Sequence, residues 1–128
     1  MSIKEIKAAL APEPIGPYSQ AVKAGGMIFL SGQIPLDPAS GELVAGDTAL
    51  QTRRVLENLA AVLKEAGASM RSVVKTTVFM KDLSRFGEMN KVYGEFFSAP
   101  YPARSTVQAA ALPKGVDVEI DAIAVVDE

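Results

Sequence analysis

The sequence predicts an α+β fold of element order β-β-α-β-α-β-β, with one mixed sheet and both helices on one of its faces. Three observations predict it. Residues 48–66 and 85–97 place apolar side chains at helical spacing. Five other runs are rich in β-branched and apolar residues and read as strands. Clusters of Gly, Pro and Asp mark the boundaries between them.

Taken in order, residues 1–17 carry Pro12, Pro14 and Pro17 and read as an extended arm. Gln20–Ala24 reads as a strand, Gly25-Gly26 as a hairpin turn, and Met27–Ser31 as the returning strand. Residues 35–46, PLDPASGELVAG, form a loop. Thr48 and Gln51 fit a capping box that opens the first helix, and Leu56, Leu59, Leu63 and Ala66, joined by Val55 and Val62, form its buried face. Gly67 ends it. Residues 72–80, SVVKTTVFM, read as a strand. The second helix, about Arg85–Phe97, is capped by Asp82 or Ser84 and buries Phe86, Met89, Tyr93 and Phe96. Its Gly87 and Gly94 weaken it by about 1 kcal/mol each relative to alanine. Strands Arg104–Ala111 and Val116–Val126 follow, joined as a hairpin through a type I turn at Leu112-Pro-Lys-Gly115.

On the last strand both alternating sets of residues include apolar members. Helices on one sheet face would leave the second set bare, so the expectation is an oligomer that covers it.

The chain has 128 residues, net charge −2, and a 48% hydrophobic and 22% charged composition, which suits one globular domain over residues 1–128. An acidic balance disfavours a nucleic-acid partner. No apolar run is long enough to span a bilayer and no signal-like segment opens the chain, so the expected compartment is the cytoplasm. There is no Cys and no His. Their absence removes thiolate nucleophiles, disulfides, the usual zinc ligands and every Ser-His-Asp triad. Chemistry must rest on Asp, Glu, Lys, Arg, Tyr, Ser, Thr or the backbone. Asp37, Asp47 and Asp82 sit at turns and caps and form no metal cluster.

Arg104 stands at the mouth of a half-apolar strand, in YPARSTVQA. A surface salt bridge is the ordinary fate of an arginine. The regular hairpin, however, pairs it with Ile123 and puts Glu119 and Asp121 on its face, with Glu119 roughly 13 Å away along the strands. That spacing suits a guanidinium and a carboxylate bracketing a small ligand. Without histidine, a partly desolvated Glu119 is the natural group to handle a water proton. Tyr18 reads as an arm residue packed on the core, and Asn90 as a side-chain amide that locks a turn.

Six segments, IGPYSQAV, IFLSGQIPLDPASGEL, VVKTTVFMKDL, YGEFF, YPARSTVQ and LPKGVDVEIDAIAV, together resemble the reactive intermediate deaminase (RidA/YjgF) family, in order, from about residue 14 to residue 126. The resemblance implies a chorismate-mutase-like fold and a homotrimer with active sites in clefts between subunits. It implies hydrolysis of 2-iminobutanoate and 2-iminopropanoate to 2-oxo acids and ammonia, with no cofactor and no metal. By the same resemblance Arg104 clamps the substrate carboxylate, Glu119 positions the attacking water, and Tyr18 belongs to the pocket. Ser31, Gly32, Asn90 and Thr106 line the substrate site, with Thr106 standing where many members have cysteine. Two other functions stay open: a non-catalytic trimer that binds small carboxylates as a regulator, and an endoribonuclease or translation inhibitor.

Overall fold

The computed structural model describes residues 2–127. Six strands form one mixed sheet in the order β1-β2-β3-β6-β4-β5. They are β1 (Ile3–Ile6), β2 (Ala21–Ala24), β3 (Met27–Gln33), β4 (Val73–Met80), β5 (Ala103–Gln108) and β6 (Val118–Val125). Two α-helices, α1 (Thr48–Glu65) and α2 (Phe86–Phe96), cover one face. The α+β class is as the sequence predicts, but the sheet has one strand more.

That extra strand lies in the expected arm. Ile3–Ile6 pairs antiparallel with β2 and forms one sheet edge. After it the chain is held from within by Gln20, which is buried. The Gln20 amide donates to the carbonyls of Ala8, Ala11 and Pro12, and its oxygen accepts from Ala8 N at 2.6 Å. A proline-rich segment has few amides to offer a sheet, so a side-chain amide satisfies its carbonyls instead.

The β2–β3 hairpin turns at Gly25, whose φ of 61° lies in the left-handed region. Helix α1 begins one residue earlier than the Thr48–Gln51 box requires. Asp47 is the N-cap and accepts from Leu50 N at 3.0 Å. Thr48 and Gln51 are thereby freed, and both bind the residue that leads into β6: Thr48 Oγ1 donates to Asp117 and Asp117 N donates to Gln51 Oε1. The helix closes in a Schellman arrangement, with Ala68 N on Leu63 O and Gly67 N on Lys64 O, and Gly67 at φ 80°. Val55, Leu56, Leu59, Val62 and Leu63 are essentially fully buried, as their spacing demands.

The larger departure concerns β5. It does not form a hairpin with β6; it pairs parallel with β4, from Lys75↔Ala103 to Met80↔Gln108. Strand β4, helix α2 and strand β5 are a crossover unit, which parallel neighbours require. Strand β6 then inserts antiparallel between β3 and β4. The Leu112–Gly115 turn is present, with Gly115 N bonded to Leu112 O, but Lys114 has φ 56°, which excludes the expected type I geometry.

Opposed residues share a face. Val118, Ile120, Ala122 and Ala124 of β6 therefore join Ile28, Leu30, Val78 and Met80 beneath the helices, all buried. Phe29, Phe79, Glu119, Asp121, Ile123 and Val125 point to the other face, which no helix covers. Among the described residues no helix is long and apolar enough to cross a membrane.

Candidate functional site

The fold divides the residues named above into two groups. Arg104 is level with Thr76 on β4, and Thr76 is level with Ala122 on β6, so Arg104 and Thr106 lie on the helix face. Glu119 is level with Phe79 and lies on the open face. The expectation that Arg104 and Glu119 share a face is therefore incorrect within one chain. Strand β4 stands between their strands, which lie two strand spacings or roughly 10 Å apart, and Glu119 is three residues along β6 from Ala122, the residue level with Arg104, with side chains directed oppositely. The hairpin register fails because the α2 crossover delivers β5 to the outside of β4.

The first group is built on the β5 edge and α2. Residues Phe86, Asn90 and Tyr93 lie on one side of α2 at helical spacing, facing Arg104. The guanidinium carbon lies 4.7 Å from the Tyr93 ring centroid and 5.4 Å from that of Phe86. Both distances suit cation–π attraction. One guanidinium nitrogen donates to Asn90 Oδ1 at 2.8 Å. Tyr93 is itself fixed: its hydroxyl shares a 2.8 Å hydrogen bond with Thr76 Oγ1, and its ring packs on Phe97 at 4.5 Å. Burial raises the Tyr93 pKa, so the ring is a neutral phenol under the cation. Arg104 forms no salt bridge among the described residues. Asn90 is thus exposed and holds the arginine, where the sequence suggested a buried amide locking a turn.

The second group surrounds a cleft of about 510 Å³ lined by Tyr18, Ser31, Gly32, Lys114 and Glu119, with Glu13 to Ile15 of the arm along one side. Between Leu30↔Ala122 and Gln33↔Ile120, strand β3 spends one residue more than β6. Ser31 and Gly32 therefore form a β-bulge opposite Asp121, a device common beside sites. Ser31 Oγ donates to Ser19 O at 2.7 Å and Ser31 N to Gln20 O at 3.0 Å, which ties the arm to the bulge. Tyr18, expected to pack on the core, is 52% exposed at the cleft mouth. The Glu119 pKa is raised, first by burial and then by the negative charge of Asp121. A carboxyl that retains its proton more readily than usual is suited to passing one to and from water. Glu119 forms no salt bridge among the described residues. No group of three or more His, Cys, Asp or Glu side chains among those residues is arranged to hold a metal ion.

Phe86 and Tyr93 as a seat for Arg104, and Lys114 and the arm residues as cleft walls, were not legible as site residues. The spacing of Phe86, Asn90 and Tyr93 was the available signal, but it points to Arg104 only once β5 is known to follow α2 as a parallel neighbour.

Comparison with known proteins agrees with this architecture. A family model described as Endoribonuclease L-PSP matches residues 8–126. The chain is 57% identical over 114 residues to a RutC family protein of Pyrococcus abyssi (strain GE5 / Orsay), covering 89% of this chain and 90% of that protein. It is 48% identical over 122 residues to the 2-iminobutanoate/2-iminopropanoate deaminase of Mus musculus, covering 95% and 90%. The crystal structure of E. coli TdcF with bound serine superposes with a TM-score of 0.93 at 49% identity, over 97% of this chain and 99% of that one. With nearly its whole length matched in sequence and in structure, the chain belongs to the Endoribonuclease L-PSP family, whose members here include RutC family proteins and a named imine deaminase.

Proposed function

We propose that this protein hydrolyses small 2-imino acids, such as 2-iminobutanoate and 2-iminopropanoate, to 2-oxo acids and ammonia at sites shared between the subunits of a homotrimer. One observation carries the reading: a guanidinium seated on two aromatic rings without an acidic partner, and a half-buried carboxylate without a basic one, lie on opposite faces of the same sheet. Neither group reaches the other within a chain. A second copy packed on the open face would bring its arginine edge to the Glu119 cleft. The uncovered apolar side chains of that face, Phe29 and Val125 among them, favour such packing. Support for the substrate comes from the mouse relative named for this reaction, and support for a small amino-acid-like ligand from the serine-bound relative.

In the proposed reaction Arg104 takes the substrate carboxylate through two parallel charge-assisted hydrogen bonds, with Asn90 and the rings holding its plane. Thr106, two residues on, and the Ser31–Gly32 backbone flank the ligand, and Tyr18 closes the mouth. Water attacks the imine carbon as Glu119 takes its proton. That proton passes to the nitrogen and leaves a carbinolamine; Glu119 then relays the hydroxyl proton to the nitrogen as the carbon–nitrogen bond breaks, so ammonia departs and the carbonyl forms. The imine carbon is already electrophilic, so positioning and proton transfer supply most of what catalysis needs.

The test is to generate 2-iminobutanoate with a threonine dehydratase and follow its loss with and without this protein. Acceleration that disappears in Glu119→Gln supports the hydrolase. Saturable binding of 2-oxobutanoate with no acceleration would favour a regulatory carboxylate binder. Cleavage of added RNA by the wild type, lost in the same variant, would favour the endoribonuclease.

A further inference from the structure

Gly32 is the point where the backbone and Glu119 come closest. A Cβ placed on Gly32 would collide with Glu119 Oε2 and would lie 3.0 Å from Cδ and 3.1 Å from Cγ. Only the carboxylate tip, Oε2, is in outright collision, while Cδ and Cγ are at tight contact, so a methyl group there is accommodated by turning the Glu119 carboxylate away from the backbone. The residue's φ lies outside the left-handed region, unlike that of Gly25 or Gly67, so its conformation alone does not require glycine. The contact requires it. The bulge at Ser31–Gly32 pushes this backbone toward the open face, where Glu119 stands.

We infer that Gly32 is a positioning residue: its missing side chain is the space that holds the Glu119 carboxylate flat against the bulge and aims it into the cleft. The inference rests on the hydrolase reading only where it speaks of turnover, since the packing of Glu119 on Gly32 stands without it. The charged and titratable groups around Glu119 are Asp121 on its own strand, Lys114 from the preceding turn, and Glu13 and Tyr18 from the arm. Displacing the carboxylate from Gly32 moves it out of the burial that raises its pKa and toward the solvent of the cleft.

The test is a double-mutant cycle of Gly32→Ala and Glu119→Ala. Gly32→Ala is expected to lower kcat roughly 10- to 100-fold for imine hydrolysis while KM changes less than about threefold, because the carboxylate clamp lies elsewhere. In the Glu119→Ala background the same substitution is expected to cost nothing further in turnover and not to lower the melting temperature. Carboxyl NMR titration, which needs no activity, is expected to show the Glu119 pKa falling toward the ordinary glutamate range in Gly32→Ala. An equal loss of melting temperature in both backgrounds would place the cost in the backbone and overturn the inference, as would an unchanged Glu119 titration. A wild type without imine hydrolysis would overturn the proposed reaction and leave the NMR titration and the stability cycle to decide the role of Gly32.

Discussion

Arg104 costs the fold little and is expected to matter greatly to the ligand. Its folded-state partners are one amide and two rings, worth on the order of 1 kcal/mol together at a partly exposed site. Removing one partner of a buried charge pair with a ligand costs roughly 2–5 kcal/mol. Arg104→Ala is therefore expected to keep its melting temperature within a few degrees, abolish measurable deamination and weaken 2-oxobutanoate binding. Arg104→Lys should rescue poorly, since an ammonium cannot form two parallel bonds or lie flat on Tyr93. An unstable alanine variant would return Arg104 to a structural role. Glu119 carries the opposite balance. Its pKa is raised in the folded state, so the folded state holds the proton more tightly than the unfolded one. Its stabilising contribution is complete below the unfolded-state glutamate pKa and is lost as pH rises through the folded pKa. Glu119→Gln has no such loss and should melt above wild type near pH 7, with the gap narrowing as pH falls below the usual carboxylate range. Thermal melts of both proteins across that range check the sign; a gap that widens on acidification would contradict the burial argument.

Among the elements, periodicity was reliable where a helix buries one face. Val55, Leu56, Leu59, Val62 and Leu63 are buried as their spacing requires. The expected Asp82 or Ser84 cap of the second helix is not found: Asp82 caps the separate 3-10 turn Leu83–Arg85, accepting from Ser84 N at 2.9 Å, and α2 starts behind Arg85 with no side-chain cap. Caps were less legible. Asp47 and Thr48 are adjacent and both competent, and the choice fell to Asp47 because Thr48 and Gln51 are occupied by Asp117, 69 and 66 residues away. Gly94 remains a weak point inside α2: a Cβ there meets nothing within 4 Å, and the helix forms because Met89, Val92 and Tyr93 are buried. Gly94→Ala should therefore stabilise by about 0.5–1 kcal/mol, read as a raised denaturant midpoint with unchanged slope. A lowered midpoint would mean that another chain approaches α2 at that position. Asn58, buried and binding the carbonyls of Ile34 and Leu36, shows a polar residue on the apolar face of α1 acting as a loop anchor.

At the scale of the molecule, the sheet has one face sealed by helices and one that carries Met27, Phe29 and Val125, each about 41–45% exposed. The proposed trimer is the cover for that face and the means of completing the site. Phe29→Asp places a charge where the apolar contact would form. It should convert the assembly to monomers near 13.5 kDa by light scattering, with helical circular dichroism retained and deamination lost. Wild-type chains that are monomeric at micromolar concentration would sink both the interface and the shared site. A Phe29→Asp variant that stays trimeric and active would move the interface elsewhere.

The sequence by itself determined the class of fold, the two helices and the buried face of the first, because helical and strand periodicities are local and follow from which side chains avoid water. On the second helix it found Met89 and Tyr93 but missed Val92, and Phe86 and Phe96 are only partly buried. Its motifs also marked Arg104, Glu119, Tyr18 and Gly32 as the residues to examine. Tertiary structure alone decided strand order and therefore which residues can meet. The pairing of β5 with β4 and the insertion of β6 between β3 and β4 are set by the crossover through α2 and by burial of both strands' apolar faces. These contacts span tens of residues, and a one-residue change in pairing register reverses the face a side chain occupies. That is why a regular hairpin puts Arg104 on the same face as Glu119, and why the folded chain holds them on opposite faces.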